Sequence, residues 1–188
     1  FFDGKSIKGK KPWQVSHLGM TRTFQNIRLF KELSVLENVL IAANQQIEYG
    51  FFSPILKTKK FLDQEVALRK EALDLLQIFN LERKANDEAS SLPYGEQRKL
   101  EIIRALATKP KLICLDEPAA GMNHNETHSL METIAKIRKD FHLTVLLIEH
   151  DMKLVMGICE RIVVLDHGTK IEEGNPQKIQ TSKKVIEA

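Results

Sequence analysis

Residues 92–118 determine the fold, because they place a turn, a helix and an acidic strand end in direct succession. The stretch reads LPYGEQRKLEIIRALATKPKLICLDEP, from Leu92 to Pro118. The part from about Gly95 to Thr108 predicts a basic helix that is closed by Pro110. The apolar residues 111–115 then predict a buried strand, and the two carboxylates of Asp116 and Glu117 follow it at once.

Two adjacent carboxylates at the carboxyl end of such a strand occupy the usual position of a site in an α/β sheet. Asp116 is suited to hold a Mg²⁺ ion through its water shell, and Glu117 to orient and deprotonate an attacking water. The turn at Gly95 offers backbone N–H groups to a phosphate at a helix N-terminus. An Asp-Glu pair alone is common on surfaces, so the spacing decides: Gly95 lies one helix upstream, and His150 follows one helix and one strand later. This order favours a Mg-nucleotide site.

The remaining sequence predicts an α/β fold with parallel strands and an inserted α-helical subdomain. We predict three parts: residues 1–25, the end of an N-terminal β-subdomain; residues 26–92, the helical subdomain; and residues 93–188, the helix after the turn and the C-terminal part of the core. The helical part rests on apolar spacing in residues 34–47 and 61–79. The other predicted elements are a strand-turn-strand at 1–7, a helix at 12–20, strands at 20–25, 144–149 and 161–165, a hairpin at His167-Gly168, and a capping box of Asn123 with Glu126 before a helix to about Lys139.

Composition excludes several classes of protein. The chain has 188 residues and a net charge of +3, which is too weak to argue for nucleic acid. Cys114 and Cys159 lie far apart, and Cys114 falls in an apolar strand, so we expect reduced, buried thiols in a reducing cytoplasm. The cluster of Lys57, Lys59 and Lys60 predicts a solvated loop, with contact to lipid head groups as the alternative.

The motifs together resemble those of ABC-type ATPases, with a partial P-loop NTPase core. The resemblance makes residues 112–117 the Walker B strand, Leu92 to Gln97 the signature motif, and Gln25 the Q-loop residue that reaches the Mg²⁺ and the attacking water. It makes residues 119–123 the D-loop at a dimer interface, with Gly121 and Asn123 near the nucleotide, and His150 the switch histidine. The implied catalytic residues are therefore Glu117, His150 and Gln25, and the implied metal residues are Asp116 and Gln25.

The signature departs from the common sequence L-S-G-G-Q. The positions are Leu92, Pro93, Tyr94, Gly95 and Glu96, so the serine hydroxyl and one glycine are lost, and proline has no N–H to donate. We expect phosphate contact to depend on Gly95 and neighbouring amides, or on the signature of a partner subunit. A transporter that pairs two different ATPase subunits would tolerate one degenerate signature.

More narrowly, the chain is similar to the ATP-binding subunits of bacterial branched-chain amino acid importers. The similarity rests on the runs at 22–25, 28–30, 36–39, 52–60, 118–123 and 148–156. It implies ATP and Mg²⁺ as cofactors, a second ATPase subunit in a heterodimer or homodimer, permease subunits bound through the helical subdomain, an indirect link to a periplasmic solute-binding protein, and a cytoplasmic place on the inner face of the membrane. The alternatives are import of urea or short amides, export of lipopolysaccharide, or a non-transport ABC protein.

A P-loop, G-x-x-x-x-G-K-[ST], is not found in the sequence. Gly4-Lys5-Ser6 imitates its end, but no long apolar helix follows, and we predict a hairpin turn there. Because the sequence begins at Phe1 within a strand-like pattern, we expect a fragment of a longer ATPase. In that case the 188 residues alone would bind ATP poorly and would not hydrolyse it.

Overall fold

A computed structural model describes residues 1–46 and 59–188 of the chain. Lys57 and residues 52–58 of the run at 52–60 lie outside the described residues. The chain forms two compact units, Phe1–Ile148 and Glu149–Ala188, which are described separately. The elements of the first unit are α1 Pro12–His17, β1 Met20–Arg22, α2 Val35–Ala43, α3 Lys59–Ile78, α4 Tyr94–Ala107, β2 Leu112–Asp116, α5 His124–Asp140 and β3 Thr144–Ile148.

The first unit contains a parallel sheet in the order β1-β2-β3. Met20 is in register with Leu112, and Leu112 in turn with Thr144. The predicted strands at 111–115 and 144–149 are therefore confirmed to within one residue. Because all three strands run in the same direction, their carboxyl ends meet at one edge of the sheet.

The core of the first unit includes residues of α2, α3, α4, α5 and β2. α2 and α4 pack against each other, and α3 packs on both. Residues with no exposed surface include Val35, Leu76, Leu100, Ile113 and Leu130. Asn38 is also fully buried, and its amide binds the backbone N–H and carbonyl of Phe30 at 3.0 and 2.9 Å. This amide ties the segment before α2 to the helix, which satisfies polar groups that burial would otherwise leave unpaired.

The second unit consists of α6 Met152–Ile158, β4 Ile162–Asp166, β5 Thr169–Gly174, α7 Pro176–Thr181 and α8 Lys183–Glu187. β4 and β5 pair antiparallel, and both residues of the connecting turn, His167 and Gly168, have positive φ. This is the backbone of a two-residue hairpin turn, so the predicted hairpin is confirmed. In residues 1–46 and 59–188, no helix combines the length and apolar character that a membrane crossing requires.

Several predictions differ from the structure. The strands expected at 1–7 are reduced to a single bridge between Phe2 and Lys5, although the turn between them is present. β1 ends at Arg22 instead of Gln25, and α2 ends at Ala43. The almost wholly apolar sequence of residues 144–149 predicts a parallel strand that is covered on both faces, and this prediction is wrong, since Leu146 and Ile148 are 54% and 51% exposed.

Candidate active site

Asp116 ends β2 and lies beside the end of β1. Its Oδ2 accepts a hydrogen bond from an Arg22 guanidinium nitrogen at 2.7 Å, and its backbone N–H points to Thr23 Oγ1 at 3.4 Å. Thr23 is buried, and its N–H extends the sheet by donating to the carbonyl of Cys114 at 3.0 Å. The parallel register therefore brings a carboxylate to the sheet edge and places a cation next to it.

Glu117 is the point at which the chain leaves the sheet. Its φ is +45°, in the left-handed region that a residue with a Cβ seldom adopts. The backbone N–H of Glu117 donates to the carbonyl of Ile148 at 2.9 Å, and the carbonyl of Glu117 accepts from Ala120 N–H at 3.1 Å. Non-glycine residues in this region cluster at functional sites, where neighbouring bonds hold the strained conformation in place.

Gln25 reaches Glu117 from the segment that follows β1. Its Nε2 donates to Glu117 Oε2 at 2.8 Å. Gln25, Asp116 and Glu117, which the sequence placed in one site, thus lie together at the carboxyl edge of the sheet. This hydrogen bond spans 92 positions of the sequence.

A buried ion pair in α4 holds the backbone of this Gln25 segment. Arg98 donates to the carbonyl of Phe24 at 2.7 Å, to the carbonyl of Gln25 at 2.5 Å and to Glu101 Oε2 at 2.9 Å. Arg98 is 1% exposed and Glu101 6% exposed. Glu101 Oε1 also faces the N–H of Phe24 at 3.4 Å. The pair therefore fixes two successive peptide units beside the site.

The turn before α4 follows its unusual sequence. Pro93 occupies the N-cap, and its carbonyl accepts from the N–H groups of Glu96 and Gln97, both at 3.0 Å. The carboxylate of Glu96 pairs with Lys84 Nζ at 2.6 Å, and Gln97 Nε2 donates to the carbonyl of Leu92 at 2.8 Å. The Glu96 carboxylate and the Gln97 amide thus both bind within the chain and brace the turn.

The same turn packs against the loop that follows β2. A Cβ built on Gly121 would lie 2.9 Å from the ring of Tyr94, and one on Gly95 would lie 3.1 Å from Glu126. Glu126 and Asn123 form the predicted capping box of α5, with both hydrogen bonds at 3.0 Å. Tyr94 thus packs against Gly121 in the loop after β2, and Gly95 lies close to Glu126 in the first turn of α5.

His150 belongs to the second unit, just beyond the end of β3, and its ring is exposed. Its role as a switch histidine stays a prediction. The two cysteines are free and half-buried, so Cys114 is less buried than expected. Burial raises the pKa of both thiols.

The donor set at the sheet edge fits a magnesium ion that is bound mainly by water and phosphate. Asp116, Glu117 and Gln25 supply carboxylate and amide oxygens, the ligands that hard cations prefer. Across the described residues, groups of three or more His, Cys, Asp or Glu that could hold a metal by themselves are absent. Mg²⁺ in phosphate-transfer sites needs only one or two carboxylates, because the nucleotide supplies further ligands.

Several residues around the site were missed by sequence reasoning. Arg98 and Glu101 looked like part of a solvated basic helix, and Arg22 and Lys84 had no visible partner in sequence. One signal was available for the ion pair, since Arg98 and Glu101 are three positions apart on one helix face and lie between apolar positions that face the core. The contacts with Phe24 and Gln25 depend on tertiary structure, and no local pattern reports them.

The parallel sheet with an acid pair at its carboxyl edge, together with the helix that starts at the glycine turn, defines the core of a nucleotide-hydrolysing α/β ATPase. The sequence matches the ABC transporter family over residues 1–120, and the chain belongs to this family.

Relatives extend this similarity over almost the whole chain. The high-affinity branched-chain amino acid transport ATP-binding protein LivG of Escherichia coli K12 is 46% identical over 182 residues, covering 97% of this chain and 71% of that protein. The corresponding protein BraF of Pseudomonas aeruginosa is 44% identical over 186 residues, covering 99% and 73%. Among solved structures, the ADP conformation of MJ1267, an ATP-binding cassette of an ABC transporter, has a TM-score of 0.81 at 31% identity and covers all of this chain and 74% of that one.

Proposed function

We propose that this chain is the ATP-hydrolysing part of a subunit that drives a branched-chain amino acid importer. The relatives named LivG and BraF support the choice of solute, at identities of 46% and 44%. The observation that carries the hydrolytic role is the 2.8 Å hydrogen bond between Gln25 and Glu117, next to Asp116 at the sheet edge. The solute itself is not encoded in the chemistry of an ATPase subunit, which never touches it.

In this proposal Glu117 orients the attacking water and accepts its proton, and Gln25 holds the carboxylate and the water in line. Asp116 and Gln25 are the residues that would hold Mg²⁺, which supplies positive charge against the phosphate oxygens when bound. Arg22 lies 2.7 Å from Asp116 and keeps that carboxylate paired in the absence of another cation. By the resemblance to ABC-type ATPases, His150 is proposed to be the switch histidine that contacts the γ-phosphate.

The remaining proposed roles concern partners. Leu92 to Gln97, with Gly121 and Asn123, would face the nucleotide of a second ATPase subunit across a head-to-tail dimer. Because Pro93 has no N–H and the N–H groups of Glu96 and Gln97 are donated to the Pro93 carbonyl, a partner with a complete signature suits this chain, which favours a heterodimer. Residues 26–92 would dock on permease subunits at the cytoplasmic face of the membrane, with a periplasmic solute-binding protein beyond them.

The test of the hydrolytic role is ATP turnover by the native protein that contains these residues, assembled with its permease and partner ATPase. Glu117→Gln keeps the size of the side chain and removes the base, so we expect kcat to fall at least about 100-fold, the lower range for one general base. Glu132→Gln, on the exposed face of α5, is the matched control and should leave kcat unchanged. Unchanged turnover in Glu117→Gln would refute the proposed role.

The solute is tested in vesicles that contain the complete transporter. Turnover that rises with leucine, isoleucine or valine and the binding protein supports the importer assignment. Turnover that responds to urea or short amides instead would retain the ATPase and exclude the proposed solute. The 188-residue chain alone is the negative control, since its sequence contains no P-loop.

A further inference from the structure

We propose that Arg98, together with Glu101, is a positioning residue for the hydrolytic site, which sets the backbone of Phe24 and Gln25 so that the Gln25 amide meets Glu117. This inference rests on the proposed function of Glu117 and Gln25. Arg98 belongs to α4, next to the signature turn. Its hydrogen bonds go to the backbone carbonyls of Phe24 and Gln25 and to Glu101, and not to the side chain of Gln25 or Glu117.

The geometry favours a positioning role because one guanidinium binds two successive carbonyls. The two terminal nitrogens of Arg98 divide the carbonyls of Phe24 and Gln25 between them at 2.7 and 2.5 Å. Glu101 takes the remaining hydrogen bond of the first nitrogen at 2.9 Å and faces the N–H of Phe24. A planar fork with fixed donor directions restricts the orientation of both peptide units, which a single-point donor would not do.

Burial of this ion pair lowers the stability of the folded chain, which suggests that the pair has a specific role. Burying two charges requires loss of their hydration, and a well-packed apolar pair of similar volume is often as stable or more stable. Within the part of the chain that the structure describes, Arg98 Nε is one of two buried side-chain nitrogens without a hydrogen-bond partner. The guanidinium is therefore not optimally satisfied, and the bonds that it does make are directed at the segment holding Gln25.

The consequence of this contact lies in the side chain of Gln25. Gln25 is exposed and follows the end of β1, so the sheet does not fix its direction. Arg98 fixes its carbonyl instead, and the amide then reaches Glu117 at 2.8 Å. A shift of about 1 Å in a group of this kind can reduce a rate about 100-fold without altering binding.

The decisive variant is Arg98→Met with Glu101→Leu, measured in the native protein assembled with its permease. This pair replaces the two charges by apolar side chains of similar volume, so it retains packing and removes the clamp. We expect kcat to fall about 10- to 100-fold, with the KM for ATP within about twofold of the original. Leu100→Ala, in the same buried helix, is the control for lost stability and should reduce the folded fraction with kcat per folded molecule retained.

A second experiment tests whether the fall in kcat depends on Gln25. In a Gln25→Ala background, the same pair of substitutions should lower kcat by less than about twofold further, because coupled residues are not additive. An equal fall in both backgrounds, or an unchanged kcat in the original background, would overturn the inference. Arg98→Lys provides the test if the apolar pair does not fold: it keeps the charge without the planar fork, and we expect an intermediate loss of about 3- to 10-fold.

A readout without nucleotide separates this inference from the proposed function. Amide exchange of a peptide covering residues 20–30 should accelerate in the apolar pair relative to Leu100→Ala, and unchanged exchange in that peptide would contradict the clamp. If Glu117→Gln leaves turnover intact, the proposed function fails. If Glu117→Gln abolishes turnover and the apolar pair retains full kcat, only the role of Arg98 is overturned.

Discussion

The two faces of the parallel sheet contain similar residues but differ in burial. Side chains alternate along each strand, and residues in register share a face. The closed face contains Ile113 and Leu115, which have no exposed surface. The open face contains Cys114, Leu146 and Ile148, and the last two are about half exposed at 54% and 51%. The middle positions of both faces are apolar, although only one face is packed, and the carboxyl end of the open face also contains Arg22 and Asp116.

The difference shows that hydrophobicity predicts strands, while burial depends on what lies above them. On the closed face of β2, Ile113 and Leu115 have no exposed surface, whereas the open face also contains Asp116, which ends the strand. A parallel sheet of an α/β protein is generally covered on both faces. Leu146 and Ile148 on the open face are therefore residues of a type that is usually buried, at positions that are about half exposed.

The largest expected effect is a contrast in stability between the two faces. Ile113→Ala removes packed methylenes and leaves a cavity, so we expect a loss of about 2–5 kcal/mol in the free energy of unfolding. Leu146→Ala, on the open face of the neighbouring strand, should cost less than about 1 kcal/mol because much of its side chain already contacts water. Urea unfolding of the two variants measures both values.

The expected difference between the two faces would be wrong if Ile113→Ala and Leu146→Ala lowered the free energy of unfolding by the same amount. A large loss in Leu146→Ala would mean that the open face is covered in solution, for example by a second copy of the chain, and sedimentation would then show an oligomer. Leu112→Ala, half-buried on the open face of β2, should give an intermediate loss. The order Ile113, Leu112, Leu146 is therefore the expected ranking.

Much of the fold could be predicted from sequence, because the decisive signals were local. The helix α4, the strand β2, the capping box of Asn123 and Glu126, and the turn at His167-Gly168 all depend on residues within a few positions of one another. The adjacency of Asp116 and Glu117 follows from their position at the carboxyl end of one strand, whereas the proximity of Gln25 to them was expected only from the resemblance to ABC-type ATPases. Strand ends were less accurate, since they depend on where pairing with the neighbour stops.

The remaining features could not be predicted because they depend on tertiary contacts. Arg98 and Glu101 are charged residues in a basic stretch, which ordinarily predicts a solvated face, yet both are buried against Phe24 and Gln25. The exposure of Leu146 has the opposite origin, since its sequence predicted a core strand. The polarity of a side chain therefore gave the wrong burial in both cases: two charged residues are buried and one apolar residue is exposed. In each case the burial is decided by the neighbouring residues and not by the residue type.

A second prediction tests whether an exposed residue always tolerates substitution, as the comparison with the open face suggests. Gly121 is exposed, but its φ is +77° and a Cβ would lie 2.9 Å from the ring of Tyr94. Gly4 has a φ of +73° with no atom within 4 Å of its Cβ position, so it is a matched control for backbone strain alone. We expect Gly4→Ala to cost about 1 kcal/mol and Gly121→Ala about 1–3 kcal/mol.

A double variant tests whether contact with Tyr94 causes the larger loss of stability in Gly121→Ala than in Gly4→Ala. Tyr94→Ala in the Gly121→Ala background should recover the excess over Gly4→Ala and leave the strain of the positive φ, as urea unfolding of the four chains would show. Equal costs at Gly4 and Gly121 would mean that the Tyr94 ring moves aside freely. Exposure would then be a sufficient guide to tolerance at this loop.

The smallest expected effect concerns exposed charge in the second unit. Lys178 and the N–H of Glu173 hydrogen-bond to Glu172 and lower its pKa to about 2. Because this folded-state pKa is depressed, its contribution to stability is present above the ordinary pKa and is lost as the pH falls from about 4.5 through about 2. A carboxyl-group NMR titration should give an apparent pKa near 2 for Glu172, and Lys178→Gln should raise it. Because the Lys178 side chain is exposed and that of Glu172 is half-buried, added salt should move the pKa of Glu172 part of the way towards its usual value. A pKa of Glu172 in Lys178→Gln that is identical to that of the original chain would show that the pairing with Lys178 is not the cause of the low value.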